Sequence, residues 1–287
     1  MSPHDYRRSR RVRFGTSSFS SKDWLGNFYP EGTPPGEFLR LYAQRLDTVE
    51  VDATYYAIPS ARTVEGWIAR TPEHFLITAK FPRSIVHGGE GARPDHRVLL
   101  LPDTTYKDRD AFLGVMSRLG PRLGPLILQF PYLSRSVFRT ASEFFARLDL
   151  FMGDLPPDFR YGIEIRNRNW ISPELTALCR RHNSALVLVD QAWMPHPDEL
   201  EAGLDPVTTD FVYIRLLGDR KEIEAVTQSW NREVVNRQDR LMRWADYLRA
   251  LRDRGLPVLV YVNNHYAGHA PTTVERLRRL YEDSKAE

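Results

Sequence analysis

The sequence predicts an α/β protein folded as a single-domain (β/α)8 TIM barrel. Three observations carry that prediction. Short apolar or β-branched runs alternate with helical periodicity without a break, eight such pairs fit within about 250 residues, and charged or amide side chains recur at the C-terminal ends of the runs. The competing arrangement, a doubly wound sheet, usually carries a glycine-rich phosphate turn after its first strand. Gly15-Thr16-Ser17-Ser18 is not GxGxxG.

Residues 1–11 read as a basic, flexible tail holding Arg7, Arg8, Arg10 and Arg11, and 12–287 as the barrel. The first strand is 12–16. After a loop rich in Trp, Gly and Pro, the spacing Phe38, Leu39, Tyr42, Leu46 is helical and 48–53 is the second strand. Ser60 caps a helix running to Arg70, and 75–80 is the third strand. A long loop then reaches about residue 105, followed by a helix at 110–119 and a fourth strand at 126–129. A helix at 142–150 leads to a fifth strand at 161–165. Ser172-Pro173 starts the next helix, which ends near His182, and 185–189 is the sixth strand. The seventh is 211–216, the amphipathic helix 237–254 is stopped by Gly255, and the eighth strand is 258–262. Thr272 with Glu275 has the pattern of a capping box for the last helix.

Strand side chains alternate faces, so parity predicts what points into a barrel. With Val49, Val51 and Ala53 packed outward, Glu50, Asp52 and Thr54 face inward; with Ile163 and Ile165 outward, Glu164 and Arg166 face inward. The same reasoning turns Lys80, Gln129, Asp190, Arg215 and Asn263 into the mouth. Barrel active sites lie at that end, and inward charges are costly unless paired. A salt-bridge lattice is the bland reading of any one of these residues. A set this large surrounds a polar ligand.

Composition narrows the partners. The chain is 42% hydrophobic and 27% charged, as a globular protein requires, and its formal charge is +3 at a pI near 9.0. Only five of its 40 basic residues are lysines, a skew that reads as coding bias, and residues 1–13 hold five arginines against one aspartate. The rest is close to neutral, with 35 basic and 36 acidic residues, which weakens a nucleic-acid reading built on net charge. A single cysteine, Cys179, excludes an intramolecular disulfide framework and a cysteine-built zinc site. With no apolar run near the ~20 residues of a membrane span and no signal peptide, the expectation is a cytoplasmic protein with no membrane partner. The oligomeric state is not readable from the sequence.

The ordered motifs Phe14-Gly15-Thr16-Ser17, Trp24 with Phe28-Tyr29-Pro30, Thr48-Val49-Glu50-Val51 with Thr54-Tyr55-Tyr56, and Lys80 followed by His87 continue as Leu128-Gln129-Phe130-Pro131, Glu164-Ile165-Arg166 with Trp170, Asp190, Tyr213-Ile214-Arg215 and Asn263-Asn264. In these the chain resembles the YecE-like proteins, domain-of-unknown-function family seventy-two, over almost its whole length. The resemblance implies a TIM barrel sometimes described as related to sugar isomerases, with no established activity. Two departures are visible: Leu217 and Asn167 stand where the family often has histidine.

The residues suit an isomerase or hydrolase acting on a small carbohydrate-like anion, a sugar or sugar phosphate. Arg166 and Arg215 can grip a carboxylate or phosphate, with Lys80 as a point charge or electrophile. Glu164 or Asp190 is then the general base, with Glu50 a further acidic candidate. Gln129, Asn263, Asn264, Asp52 and His87 can meet polar groups, while Trp24, Tyr55, Tyr56 and Trp170 offer flat walls. No cofactor is predicted. A divalent metal on Glu50, Glu164, Asp190, His87, His265 or His269 is disfavoured by the cations crowding the mouth. Schiff-base chemistry at Lys80 and a glycosidase pair of Glu50 with Glu164 are weaker alternatives. From other classes come a nucleic-acid module using the N-terminal arm and aromatic loops, and a non-catalytic metabolite-binding barrel.

Overall fold

The computed structural model describes residues 12–89, 91 and 93–283; the predicted tail, 1–11, lies outside them. Every strand pairing is parallel, so each return to the sheet runs through helices packed on its outer face. The strands are β1 (Val12–Thr16), β2 (Thr48–Val51), β3 (Leu76–Lys80), β4 (Leu123–Gln129), β5 (Tyr161–Glu164), β6 (Ala185–Leu186), β7 (Leu188–Asp190), β8 (Val212–Leu216) and β9 (Val258–Val262). The helices are α1 (Phe38–Tyr42), α2 (Ala61–Arg70), α3 (Arg83–Val86), α4 (Pro102–Met116), α5 (Ala141–Gly153), α6 (Pro173–Arg181), α7 (Pro197–Glu201), α8 (Arg220–Glu224), α9 (Gln238–Asp253) and α10 (Ala270–Glu282).

Two sheets result, ordered β1-β9-β8-β7 and β2-β3-β4-β5-β6. They meet at two places. Val187, the residue between β6 and β7, donates its N–H to the Ile163 carbonyl at 2.9 Å. Ser17 bridges Glu50 in parallel, with Ser18 N–H donating to the Glu50 carbonyl at 2.9 Å. Apolar side chains sort by face accordingly. Val49, Ile163, Leu188, Ile214 and Val260 join the large core under the helices, while Leu76, Ile127, Val187, Tyr213 and Tyr261 form a second cluster on the opposite strand faces. Each such buried side chain contributes about 1.5–3 kcal/mol.

Caps at Ser60 and Ser172 form as their sequences require, accepting from the N–H of Thr63 and Leu175. Other expectations are corrected. The capping box of the last helix does not form: α10 starts at Ala270, with Pro271 in its first turn, the His269 side chain accepts the Thr272 N–H, and Glu275 pairs with Arg45. α4 begins eight residues before its expected start, because Pro102 initiates it and its first turns are polar and carry no apolar stripe. β2 ends at Val51, since Asp52 is already helical and leads a tight turn at Ala53–Tyr55, and β5 ends at Glu164.

The sixth strand is the largest correction. It is split at Val187 and its parity is opposite to expectation: Val187 and Val189 face the inner cluster, and Leu188 joins the outer core. Register explains this. Leu188 pairs with Ile214 and Asp190 with Leu216, both outward-facing, so Asp190 points away from the mouth.

Candidate functional site

The site is organised around Arg215 of β8, a guanidinium with only 1% exposure. Its Nη2 and Nε donate to Glu50 Oε1 at 2.7 and 3.2 Å, and its Nη1 donates to Gln129 Oε1 at 2.8 Å and to Glu164 Oε2. Glu50, at the end of β2, also accepts from the Tyr213 hydroxyl at 2.7 Å, and that hydroxyl lies 2.9 Å from Thr78 Oγ1. Glu164, the last residue of β5, accepts from Arg166 Nε at 2.9 Å through its other oxygen. Lys80, which ends β3, places Nζ 2.5 Å from Asp52 Oδ1 and 3.8 Å from Glu50 Oε1. Strand parity therefore brings Glu50, Lys80, Gln129, Glu164 and Arg215 into one bonded network. Asp52 and Arg166 join it from just beyond their strands.

Buried charges persist here because every one is partnered. Burial pushes the Glu164 carboxyl up, but the charges of Arg215, Arg166 and Lys80 outweigh it and the net pKa is lowered. Asp52 behaves alike, burial opposing and Lys80 with Arg215 prevailing. Burial works against the charged form of Arg215, yet Glu164, Glu50 and Asp52 hold its pKa above normal. Both of Glu164's oxygens are committed to guanidinium groups.

In front of this network, at the C-terminal ends of the strands, lies a cavity of about 490 Å³ whose charged lining is Asp52, Lys80, Arg83, Arg166, Arg215 and Arg220. Tyr55, His87, Gln129 and Asn263 line it too, as the sequence led us to expect. So do Arg83, Gln191 and Arg220, which sequence reasoning missed. Gln191 would have followed from the correct parity of the sixth strand. Arg83 and Arg220 stand on α3 and α8, beyond the reach of any strand alternation. Three buried polar atoms of this lining have no hydrogen-bond partner among the described residues: Asp52 Oδ1, which is ion-paired to Lys80, and His87 Nδ1 and Gln191 Oε1. His265 also lines the cavity, with Nδ1 on Asn263 Oδ1 at 2.7 Å and Nε2 at 3.3 Å from Glu224; burial, more than Glu224 offsets, lowers its pKa.

Glu50 and Glu164 lie fully buried behind the cavity lining, and four further predicted site residues are not brought to the cavity at all. Asp190 is 3% exposed and faces α9, where it accepts from Trp244 Nε1 at 2.7 Å, from the Tyr266 hydroxyl at 2.8 Å and from Arg240. Trp24 is packed against Phe28 and Tyr29 and donates to Asn264 Oδ1 at 3.2 Å. Asn264 also accepts the Ala270 N–H at 3.0 Å, tying the loop after β9 to the start of α10. Trp170 stacks on Phe144 and lines a neighbouring cavity. Of the two departures, Leu217 lines the cavity, and Asn167 is buried against the backbone of Leu133. His269 serves as a cap with its pKa lowered by burial to about 4, and Cys179 is fully buried, with its thiol raised to about 12. Among the described residues no three His, Cys, Asp or Glu groups cluster as metal ligands, and no helix is long and apolar enough to cross a membrane.

A structural role for Asp190 has a measurable consequence. Asp190→Ala strands the Trp244 and Tyr266 donors in a buried setting, and an expected loss of about 2–4 kcal/mol follows. Chemical denaturation checks it; an undiminished stability would remove Asp190 from the framework.

A scaffold of parallel strands enclosed by helices, with a charged cavity at the strands' C-terminal ends, places the protein among mixed α/β folds of the TIM-barrel kind. Within that class the chain belongs to the family described as Protein of unknown function DUF72, whose family model matches residues 13–287. It is 26% identical over 279 residues to the UPF0759 protein YunF of Bacillus subtilis, covering 89% of this chain and 90% of that one. To the UPF0759 protein YecE of Escherichia coli it is 32% identical over 129 residues, 45% of this chain and 41% of the other. The crystal structure of a DUF72 family protein from Thermotoga maritima superposes with a TM-score of 0.72 at 26% identity, covering 94% of this chain and 99% of that one. A second, from Enterococcus faecalis, gives 0.67 at 22% identity over 95% and 96%.

Proposed function

We propose that the two sheets close into a single (β/α)8 barrel whose mouth binds a small polyhydroxylated anion of the sugar-phosphate kind and performs acid/base chemistry on it. Closure is supported by the hydrogen bonds at Val187 and Ser18, which join the sheets at both seams. The single observation that carries the ligand class is the cavity's charge. Lys80, Arg83, Arg166, Arg215 and Arg220 line it, against Asp52 alone. Counting the acids behind or beside them, Glu50, Glu164 and Glu224, the cations still lead by five to four. Arg166 is engaged through Nε, and among the described residues its terminal nitrogens carry no hydrogen bond, which suits a bidentate grip on phosphate or carboxylate. The orphaned His87 and Gln191 atoms suit ligand hydroxyl groups.

The roles differ from those expected of the sequence. Glu164, pinned between two guanidinium groups, acts as their anchor in this reading. Asp52, with 30% of its side chain exposed and Lys80 beside it, is the better proton acceptor, with the Lys80 ammonium stabilising developing negative charge. The nucleic-acid reading drew on the aromatic loops and on an arm from Arg7 to Arg13, of which Arg7, Arg8, Arg10 and Arg11 lie outside the described residues.

Thermal-shift and calorimetric titration with ribose, ribose 5-phosphate and inorganic phosphate test the proposal, because a ligand of the folded state raises Tm by mass action. The phosphates are expected to bind and ribose to bind far more weakly. Arg166→Ala should cost about tenfold in phosphate affinity, as loss of a charge-assisted hydrogen bond does. Failure of every small anion to bind would overturn the reading.

A further inference from the structure

We infer that the ligand of this cavity also carries a planar ring, seated in the cavity beside it, so that its chemical class is a nucleoside phosphate; the inference rests on the anion reading above. The neighbouring cavity, of about 510 Å³, shares Arg166 with the first. Its walls include Tyr132 and Trp193, 65% and 45% exposed, two of the largest apolar side chains left in solvent, and both stand in this one cavity. Trp170 lines it as well, with one face covered by Phe144 at a centroid distance of 5.5 Å and 27°. Arg135, Arg139 and Arg168 complete the rim, and none of its lining residues is acidic.

That pairing of open aromatic faces with guanidinium groups matches a heteroaromatic base, which stacks on both. A simple sugar phosphate would leave the aromatic faces in water. The platform is also held in place. Asn167 donates to the Leu133 carbonyl and accepts its N–H, both at 2.8 Å, fixing the backbone next to Tyr132. Arg166, oriented by Glu164, stands at the junction, where a phosphate would lie between ring and cavity.

Calorimetric titration of the full chain with adenosine 5′-monophosphate, ribose 5-phosphate and a 5′-phosphorylated single-stranded oligonucleotide tests this. The variants are Trp193→Ala and Tyr132→Ala, both at exposed positions. Adenosine 5′-monophosphate is expected to bind about tenfold more tightly than ribose 5-phosphate. Each variant should erase most of that advantage and leave ribose 5-phosphate affinity unchanged. Equal affinities in the wild type, or an advantage that survives both substitutions, overturn the ring subsite while the anion site stands. Binding of none of the three overturns the anion reading itself. An oligonucleotide that binds as tightly as the nucleotide and shares its sensitivity to the variants supports the subsite with a strand end as its source. One that binds no better than ribose 5-phosphate, beside a tight mononucleotide, supports it with the free nucleotide as source.

Discussion

Arg215→Ala is expected to lose about 3–5 kcal/mol of stability, because it leaves two fully buried carboxylates, Glu50 and Glu164, facing each other without their shared cation. Arg215→Lys should not restore it. A single ammonium cannot reproduce contacts made simultaneously to Glu50, Gln129 and Glu164 by three nitrogens of one planar group. The pH dependence gives a second readout. In the wild type the Glu164 pKa is depressed, so its contribution is fully present above the ordinary glutamate value of 4.5 and is lost as pH falls through the lower folded value. Without Arg215 the largest of the charges that lower it is gone and the folded pKa moves upward, so acidification narrows the deficit. Urea denaturation at several pH values measures both effects. A variant with wild-type stability, or a deficit that widens on acidification, would contradict the paired-charge account of the site.

Gly218→Ala is expected to cost about 2–4 kcal/mol and to abolish binding of ribose 5-phosphate. Gly218 has φ of +70°, and a Cβ there would lie 2.4 Å from the His265 carbonyl oxygen and 2.7 Å from Tyr266 Cα. The left-handed backbone costs an L-residue about 1–2 kcal/mol, and the clash is with backbone that cannot swing aside. Gly218 and His265 both line the cavity, so relieving the clash displaces the wall that would meet the ligand. Gly114→Ala, in the exposed face of α4 with open space around the added methyl group, is the control and should gain up to about 1 kcal/mol. Denaturation and titration of the two variants side by side separate a local distortion of the site from a general effect of replacing glycine.

Strand residues were legible wherever one face was apolar and the other was not. Val49 and Val51 around Glu50, and Ile163 before Glu164, assign the faces without any knowledge of the neighbours. Residues 185–189 are apolar at every position, so alternation carries no information there. The charge of Asp190 suggested the mouth, and its register beside β8 turned it instead towards α9. Aromatic type was equally uninformative about direction. Trp24 bonds to Asn264, 240 residues away, while Trp193 stands in solvent, and no local pattern distinguishes the two.

The alternation of apolar runs and helical periods, together with the polar ends of the strands, was enough by itself to determine the parallel α/β architecture and most of the Glu50, Lys80, Gln129, Glu164 and Arg215 network, because backbone geometry imposes those periods locally. Which charges are framework and which face a ligand was decided only in three dimensions. Arg83, Gln191 and Arg220 reach the cavity through loops and helix starts, whose paths depend on long-range packing, and Asp190, Trp24, Trp170 and Asn264 are taken out of it by partners far away in the chain.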